Sequence, residues 1–368
     1  MMIDKNDLKR GLKIAIFGIC FGITAQQAVF AQSKEISWGQ AQQQDKEWYA
    51  SGEAQRIADN VLLYQHNNGG WYKNINMADK LTSAEKDKLR AQKSEEVGTT
   101  IDNGATHTQL NYLAKIYSAT SEEKYKNAFL DGVDYLLEAQ YENGGWPQFY
   151  PIKEGYYEHI TYNDGAMIGV MNLLRDIAKE KPGYTFVDAK RKKKAQKAIN
   201  KGLEVILATQ VKVDGNLTIW CAQHDKDDFS PAKARAYELP SLSGKESAGI
   251  VEYLLKLKKP SEEVKKSIRS AVQWFDEHKV MGEKVVWIKD TSYVEGHDRV
   301  VVQDSDGGPL WGRFNDIKTG KPIFVGRDGI IKSHLADIEQ ERRVGYNYID
   351  NYAEELLKRE YPEWEKKY

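Results

Sequence analysis

Thr-Ile-Asp-Asn-Gly-Ala-Thr at residues 100–106 and Thr-Tyr-Asn-Asp-Gly-Ala at residues 161–166 are two copies of one local pattern. In each copy a polar, turn-prone segment with one Asp and one Asn gives way to apolar residues at helical spacing. The pattern predicts two helices that each begin directly after an acidic turn. We expect the carboxylates of Asp102 and Asp164 to lie on a common face at these helix entrances.

A second repeated marker surrounds these stretches. The sequence Asn-Gly-Gly-Trp ends at Trp71 and again at Trp146, and a weaker copy, with Asp-Gly-Asn, leads to Trp220. The three tryptophans stand 75 and 74 residues apart, and an apolar helical segment precedes each of them. A repeated unit of two helices cannot bury its apolar faces alone, so it stacks on its neighbours. The sequence therefore predicts an all-α dominated fold, an incomplete (α/α) toroid of helix hairpins, with a solenoid as the open alternative.

The chain changes character after a last periodic helix that is predicted to end near residue 278. Two short strands are predicted at residues 285–288 and 300–302, and aromatic, Gly and Arg residues then mix without helical period up to residue 330. We interpret residues 283–330 as an insertion whose few short strands line a groove. A helix is expected over residues 346–359, and residues 32–50 are expected to form a loose lead-in.

The N-terminus has the features of a secretory signal peptide, residues 1–31. Basic residues precede an apolar run that ends at Ile23, and Val-Phe-Ala at residues 29–31 offers a cleavage site. The run has about half of the ~20 residues that a membrane span needs. We expect an exported, periplasmic or secreted protein that does not associate with membrane after removal of the signal, and one catalytic domain, residues 32–368. Only Cys221 would remain in that domain, so no internal disulfide is expected.

The composition narrows the partners. The formal net charge is −1, and 29% of the residues are charged. A nucleic-acid-binding protein would need a net basic face, so nucleic acid is not an expected partner. The chain is expected to act as a monomer.

Familiar catalytic motifs are missing: the sequence has no phosphate-binding glycine loop, no Gly-x-Ser-x-Gly, no His-Glu-x-x-His and no cysteine cluster. The remaining candidates are the two acidic turns and two arginines in unusual surroundings, Arg235 between alanines and Arg327 between glycines. Each has a structural alternative. The Asp residues could cap helices, and the arginines could fix their loops through salt bridges. Trp146 could pack against the next helix or stack on a sugar.

Four ordered motifs carry a resemblance to a known family. They are Ile-Asp-Asn-Gly-Ala-Thr at 101–106, Thr-Tyr-Asn-Asp-Gly-Ala-Met at 161–167, Tyr-Glu-Leu-Pro-Ser at 237–241 and Phe-Val-Gly-Arg-Asp-Gly at 324–329. Together they resemble polysaccharide lyase family 10, the toroidal pectate lyases, from about residue 52 to the C-terminus. The resemblance implies calcium-dependent β-elimination of polygalacturonate in a groove, with an arginine as the base.

The resemblance also implies roles for particular residues. Asp164 is expected to bind calcium, and Asp102 with Asn103 to help hold the ion when substrate is bound. Arg235 is expected to be the catalytic base, and Arg327 to bind a substrate carboxylate. Further substrate contacts are expected from the groove residues Trp146, Tyr150 and Lys233.

The residue types suit this chemistry. Galacturonate has an acidic hydrogen at C5, beside its C6 carboxylate, and its removal builds negative charge on that carboxylate. Calcium prefers oxygen ligands such as carboxylates, and together with Arg327 it would neutralise the charge. An arginine is normally always protonated. We therefore expect neighbouring cations, including Lys233, to lower the pKa of Arg235 and the rate to be highest in alkaline solution.

Three other functions fit parts of the pattern. A toroidal glycoside hydrolase could use Asp102 and Asp164 as its carboxylate pair. A non-catalytic polyuronate-binding protein would keep the groove without needing Arg235. A helical-repeat scaffold for protein partners would not need the mixed insertion.

Overall fold

The computed structural model describes residues 36–368, so the predicted signal peptide, residues 1–31, lies outside the described residues. Helices account for most of the regular structure. They are α1 (Trp38–Ala41), α2 (Gly52–Tyr64), α3 (Ser83–Gln92), α4 (His107–Thr120), α5 (Glu123–Glu138), α6 (Ala166–Ala178), α7 (Ala189–Thr209), α8 (Gly244–Leu255), α9 (Glu262–Glu277), α10 (Gln340–Gly345) and α11 (Tyr361–Glu365).

Within residues 36–368, the strands form five two-stranded antiparallel pairs: β1–β4, β2–β3, β5–β6, β7–β10 and β8–β9. Of these strands, only β5 and β6 are longer than two residues. The strands are β1 (Ile160–Thr161), β2 (Lys212–Val213), β3 (Asn216–Leu217), β4 (Gln223–His224), β5 (Glu283–Lys289), β6 (His297–Gln303), β7 (Trp311–Gly312), β8 (Phe324–Val325), β9 (Ile331–Lys332) and β10 (Ile349–Asp350).

The helices form stacked hairpins in two layers, as the repeat predicts. One layer, here called the inner layer, places α2, α4, α6 and α8 side by side, and the other, here called the outer layer, places α5, α7 and α9 side by side. The hairpins α4–α5, α6–α7 and α8–α9 join the layers. Helix α6 packs against α4, α7 and α8, and nine of its thirteen residues are buried. Because α6 packs against three helices, apolar residues cover more than one of its faces, as the adjacent pairs Met167-Ile168 and Val170-Met171 show.

Each repeat tryptophan is a core residue that closes its hairpin. Its indole N–H donates to a carbonyl in the last turn of the preceding helix, and its side chain has no exposed surface or almost none. The bonds are Trp71 to Val61 (2.8 Å), Trp146 to Leu136 (2.8 Å), Trp220 to Ile206 (2.7 Å) and Trp311 to Phe275 (2.8 Å). The packing interpretation is thus confirmed, and the expectation that Trp146 stacks on a sugar is wrong, because the ring is fully buried.

The same repeats are linked to one another by glutamine side chains. The Nε2 groups of Gln65, Gln140 and Gln210 each donate to a carbonyl of the next outer-layer helix, at 2.8, 2.9 and 3.0 Å. Two glycines allow this close approach. Gly69 and Gly144 adopt positive φ values of 90° and 103°, and a Cβ at either would collide with the carbonyl of the facing helix. The repeated Gly-Gly-Trp motif and the glutamine that precedes it therefore close each helix hairpin and hold it against the next one.

The two predicted strands of the insertion are present, but the sequence did not predict that the insertion lies within a fourth copy of the repeat. Trp311 is a fourth copy of the closing tryptophan, and residues 278–310 lie between it and its helix α9. The predicted strands are present as β5 and β6, which pair along their full length. The β8–β9 region forms a second apolar cluster with Phe314, Leu335 and Tyr348.

Two expectations about the chain ends are wrong. Residues 36–50 are ordered rather than loose: Trp38 packs on Tyr112 with ring centroids 5.0 Å apart, and the Tyr49 hydroxyl donates to the Ala41 carbonyl. The expected helix over residues 346–359 is broken. Strand β10 takes up Ile349–Asp350, and helix begins only at Glu354, continuing through a π-helical segment at Leu356–Glu360 into α11. Among residues 36–368, no helix combines the length and apolar character required to cross a bilayer.

Candidate active site

The two acidic turns adopt the same conformation and contact each other. Both are 3₁₀ turns, Asp102–Gly104 and Asn163–Gly165, and each has its middle residue in the left-handed region, with φ of 50° at Asn103 and 51° at Asp164. Asn and Asp tolerate this conformation better than other side chains. Asp102 is therefore the structural equivalent of Asn163, and Asp164 of Asn103, so the two Asp residues occupy different positions. Neither caps the following helix, and the capping alternative is wrong.

Asp164 lies among cations on the inner helix layer. Its Oδ1 accepts hydrogen bonds from Lys245 Nζ at 2.5 Å and from Arg313 Nη2 at 3.0 Å, and its Oδ2 accepts from Asn163 Nδ2 at 2.8 Å. Burial alone would raise the pKa of Asp164, but Arg313 and Lys245 outweigh it and lower the pKa to about 2. The carboxylate is ionised throughout the neutral range and keeps 26% of its surface exposed.

A second carboxylate, that of Glu246, interacts with the same two cations, Arg313 and Lys245. Glu246, in the first turn of α8, is buried and lies 3.3 Å from Arg313 Nη2 and 3.8 Å from Lys245 Nζ. Burial raises the pKa of Glu246, and the two cations oppose this. Burial would lower the pKa of Arg313, yet Glu246, Tyr346 and Asp164 raise it instead. This buried network fixes the position of Arg313.

Asp102 is held more tightly than Asp164. It is 3% exposed, and its Oδ2 accepts hydrogen bonds from Lys73 Nζ and, at 2.6 Å, from Gln148 Nε2. Its Oδ1 accepts the backbone N–H of Asn103 at 3.0 Å. The predicted ion-binding role of Asp102 stays a prediction, and it requires Lys73 to move. Asn103 is exposed, and its side chain donates to Asn74.

Arg235 stands at the tip of a tight loop and is held by Glu238. The guanidinium donates from Nε at 2.8 Å and from Nη2 at 2.6 Å, while the backbone N–H of Arg235 bonds to the same carboxylate. The loop-fixing salt bridge is therefore present. The hydrogen bonds and charge of Glu238 outweigh burial and raise the pKa of Arg235, contrary to the expectation that neighbouring cations would lower it.

Tyr346 connects Arg235 to the Asp164 network. Its hydroxyl donates to Glu238 at 2.6 Å, and its ring lies 5.7 Å from the guanidinium carbon of Arg235 and 4.3 Å from that of Arg313. Arg313 in turn contacts Asp164. Arg235 and Asp164 are thus linked through two intervening side chains and face one region of the molecule.

Arg327 lies beside the same loop, since Gly329 approaches the Ala236 carbonyl. Its guanidinium, 61% exposed, pairs with Glu341 of α10. Arg342 of the same helix covers the ring of Tyr237 at 4.8 Å. Lys233 is exposed on the Arg235 loop. The predicted substrate contacts of Arg327 and Lys233 stay predictions, and Arg327 would have to exchange Glu341 for substrate.

The aromatic contacts differ from those expected. Tyr150 donates its hydroxyl to Glu138 at the end of α5 and packs on Tyr135, so its contacts do not support the predicted role in substrate binding. Its neighbour Phe149 lies 5.6 Å from Lys73 Nζ, which covers Asp102. Phe149 is thus the aromatic residue of this segment that lies beside the Asp102 turn, and the substrate-binding role of Tyr150 stays a prediction.

The matching family model, described as "Pectic acid lyase", spans residues 65–357. This span includes both acidic turns, the Arg235 loop, Arg313 and Arg327. The chain belongs to the pectic acid lyase family.

Two solved structures agree with this assignment. A family 10 polysaccharide lyase from Cellvibrio cellulosa is 34% identical, with a TM-score of 0.73, and the match covers 85% of this chain and 93% of the other. A mutant of a family 10 polysaccharide lyase from the same organism, in complex with trigalacturonic acid, gives the same identity and TM-score over 84% and 94% of the two chains. A search of curated proteins found no match.

The pectic acid lyase assignment and the pKa of Asp164 both argue against a glycoside hydrolase. A carboxyl group with a pKa of about 2 is ionised near neutrality, so Asp164 does not supply the acid of a glycosidase pair. Asp102 forms an ion pair with Lys73.

Several residues of this lyase site were missed by sequence reasoning: Lys73, Gln148, Glu238, Lys245, Glu246, Arg313 and Tyr346. Some signals existed. Lys245 and Glu246 stand at the third helix entrance, and Glu238 belongs to the Tyr-Glu-Leu-Pro-Ser motif. Arg313 lies in the mixed insertion that the sequence predicts to line a groove, but its partners Asp164 and Glu246 were not predictable. Tyr346 gave no local signal, because only the folded chain brings it to Glu238.

Two cavities of the structure lie away from these residues. One, of about 620 Å³, lies between β2–β3 and α9, and the other, of about 830 Å³, lies between the β5–β6 hairpin and the β8–β9 pair; neither is lined by Asp102, Asp164 or Arg235. Within residues 36–368, no three His, Cys, Asp or Glu side chains are grouped so that they alone could hold a metal ion.

Proposed function

We propose that this polysaccharide lyase cleaves α-1,4-linked polygalacturonate by calcium-dependent β-elimination and releases unsaturated oligogalacturonates. The observation that carries the proposal is the linkage of Arg235 to Asp164 through Tyr346 and Arg313. It places the predicted base and the predicted ion-binding carboxylate in one network of side chains, which supports their acting on one bound polymer.

The charges around this linkage suit a polyanionic substrate. Lys73, Lys245, Arg235 and Arg327 each keep between 31% and 61% of their side-chain surface exposed. A polyuronate carries one carboxylate per sugar, and exposed cations along an open surface can pair with successive carboxylates. The trigalacturonic acid bound to the related lyase has this chemistry.

Arg235 is proposed to take the C5 proton. Glu238 holds its Nε and Nη2 atoms, and this orients the guanidinium so that Nη1 is left for the substrate. When C5 loses its proton to Arg235, a C4–C5 double bond forms and the C4–O bond breaks. The departing glycosidic oxygen keeps the electron pair and takes a proton from water. Because Glu238 raises the pKa of Arg235, the base form requires alkaline solution.

The donor groups fit calcium only in part. Ca²⁺ takes roughly six to eight oxygen ligands, and the turn at Asp164 offers one ionised, partly exposed carboxylate with the oxygens of Asn163 nearby. Substrate carboxylates and water would have to complete the shell, and Lys245 would have to release Asp164. When bound, calcium supplies positive charge at the uronate carboxylate. Arg313 remains beneath Asp164 and holds it in place.

The test compares elimination with hydrolysis on polygalacturonate. Elimination gives a conjugated product that absorbs in the ultraviolet, with one double bond for each new reducing end. Hydrolysis gives reducing ends without this absorbance, and that result would exclude the proposed reaction. Binding without any new chain ends would instead support a polyuronate-binding protein.

Export forms a separate part of the proposal. It is supported by the basic and apolar sequence of residues 1–31, and it is tested by mass measurement of the N-terminus of protein recovered outside the cytoplasm. An intact residue 1 in that protein would contradict cleavage.

A further inference from the structure

The β5–β6 hairpin carries an exposed tryptophan that the catalytic description does not use. Trp287 has 57% of its surface exposed, whereas the four hairpin-closing tryptophans are buried. Tryptophan is enriched at binding interfaces, because its indole combines a large apolar face with a polar N–H group.

The register of the hairpin shows which way this ring projects. Trp287 pairs with Arg299, and Val285 pairs with Val301 two residues away on the same face. Val285 and Val301 pack against the second apolar cluster, so this face is turned toward the body of the protein. Trp287 lies on the same face as Val285 and Val301 but outside the packed cluster, so its ring is exposed. Lys289, the next residue on this face, is exposed.

Neighbouring side chains restrain the indole. The guanidinium carbon of Arg299 lies 5.6 Å from the ring, and the His297 ring lies at 5.2 Å. Arg299 is 6% exposed, donates to the Ile349 carbonyl at 3.1 Å and to Asn347, and its Nε has no hydrogen-bond partner. A buried cation therefore stands behind the exposed ring.

Helix α10 connects this face to the candidate active site. Gln340 of α10 donates to the His297 carbonyl at 2.7 Å, and the His297 ring lies against Trp287. The next residue of α10, Glu341, pairs with Arg327. A polymer that extends past Arg327 along α10 therefore reaches the face of the hairpin that carries Trp287.

We propose that Trp287 and Lys289 form a distal uronate-binding platform, which holds polygalacturonate outside the catalytic groove. The occupant is a sugar of the same polymer chain: its C–H face stacks on the indole, and its carboxylate pairs with the Lys289 ammonium. This assignment rests on the proposed function, because it takes polygalacturonate as the substrate.

The test measures steady-state elimination by the full chain on polygalacturonate and on trigalacturonate. Trp287→Ala is expected to raise the KM for the polymer about fivefold, since an aromatic contact is worth about 1 kcal/mol, and to leave kcat on both substrates unchanged. Trp287→Phe should retain most of the affinity. Ile288→Ala is the matched control, because Ile288 is also exposed but projects from the opposite face.

The lysine is tested in the same way. Lys289→Gln is expected to raise the KM for the polymer at low salt, and the effect should shrink as salt is added. Lys284→Gln, on the opposite face, is expected to behave like the wild type.

The outcomes separate this assignment from the proposed function. If the wild type makes no unsaturated product, the proposed function fails. If the wild type is active and Trp287→Ala has unchanged polymer kinetics, the platform fails alone. An equal loss on trimer and polymer would place Trp287 within the catalytic groove and overturn the distal assignment. A dimer lost in Trp287→Ala, with polymer kinetics unchanged, would assign the face to self-association and also overturn it.

Discussion

Arg313 Nη2 and Asp164 Oδ1 lie 3.0 Å apart although 149 residues separate them in the chain. The same guanidinium reaches Asn163 and Glu246, so the insertion and two inner helices meet at one buried cation. This contact joins the segment that carries the groove residues to the repeat scaffold.

Arg313→Met should destabilise the protein by about 3–5 kcal/mol, because it leaves buried Glu246 and partly buried Asp164 without their cation. Urea unfolding measures the change. Adding Glu246→Gln to Arg313→Met should recover part of the loss, since the unpaired buried charge is then removed. Strictly additive losses in this double-mutant cycle would contradict the proposed network.

The ionised Asp164 carboxylate should stabilise the folded protein at neutral pH and lose this contribution in acid. Its folded pKa of about 2 lies below the ordinary value of 3.8, so the contribution is present above about pH 4 and is lost as the pH falls toward 2. Thermal unfolding of the wild type and Asp164→Asn should differ most at neutral pH and converge in acid. A difference that stays constant from pH 7 to pH 2 would show that Asp164 is not held by cations.

Glu238→Gln should move the rising limb of the pH–rate profile to lower pH. Glu238 raises the pKa of Arg235, and removing its charge lowers that pKa, so more of the base form is present at a given pH. The measurement is kcat/KM for unsaturated product across pH. Tyr346→Phe, which removes a hydrogen bond to Glu238 and keeps the carboxylate charge, should move the limb less than Glu238→Gln does. An unmoved limb in Glu238→Gln would argue against Arg235 as the base.

Trp146→Phe should lower stability without changing substrate affinity. The variant loses the indole bond to the Leu136 carbonyl and leaves a small cavity, for a cost of about 2–4 kcal/mol. Trp71→Phe, at the equivalent position, should lose a similar amount. A raised KM in Trp146→Phe at full stability would restore the sugar-stacking role that its burial excludes.

The sequence predicted the features that repeat and missed those that depend on long-range contact. The tryptophan spacing identified three helix hairpins, but the long insertion before Trp311 hid the fourth. The paired Asp residues looked equivalent, whereas the backbone aligns Asp102 with Asn163. Aligning the two copies on Gly104-Ala105 and Gly165-Ala166 shows the same offset in the sequence, because Asp-Asn precedes glycine in one copy and Asn-Asp in the other.

Ordered motifs located Arg235 and Asp164 on one region, which composition and spacing could not have done. Their surroundings were not predictable. The pairing of Asp164 with Lys245 spans 81 residues, and Tyr346 reaches Glu238 across 108. The expectation of a lowered Arg235 pKa was wrong because Glu238, three residues away, was taken as part of a motif rather than as its ion-pair partner.

The rate of unsaturated-product formation from polygalacturonate tests the central claim most directly. We expect the wild type to form this product in the presence of calcium, faster as the solution becomes alkaline, and to stop when a chelator is added. Arg235→Ala, with an unchanged unfolding midpoint, should lose at least about a thousandfold in kcat, in line with the loss of a catalytic proton acceptor. Product formed at the wild-type rate with chelator present, or by Arg235→Ala, would contradict the account.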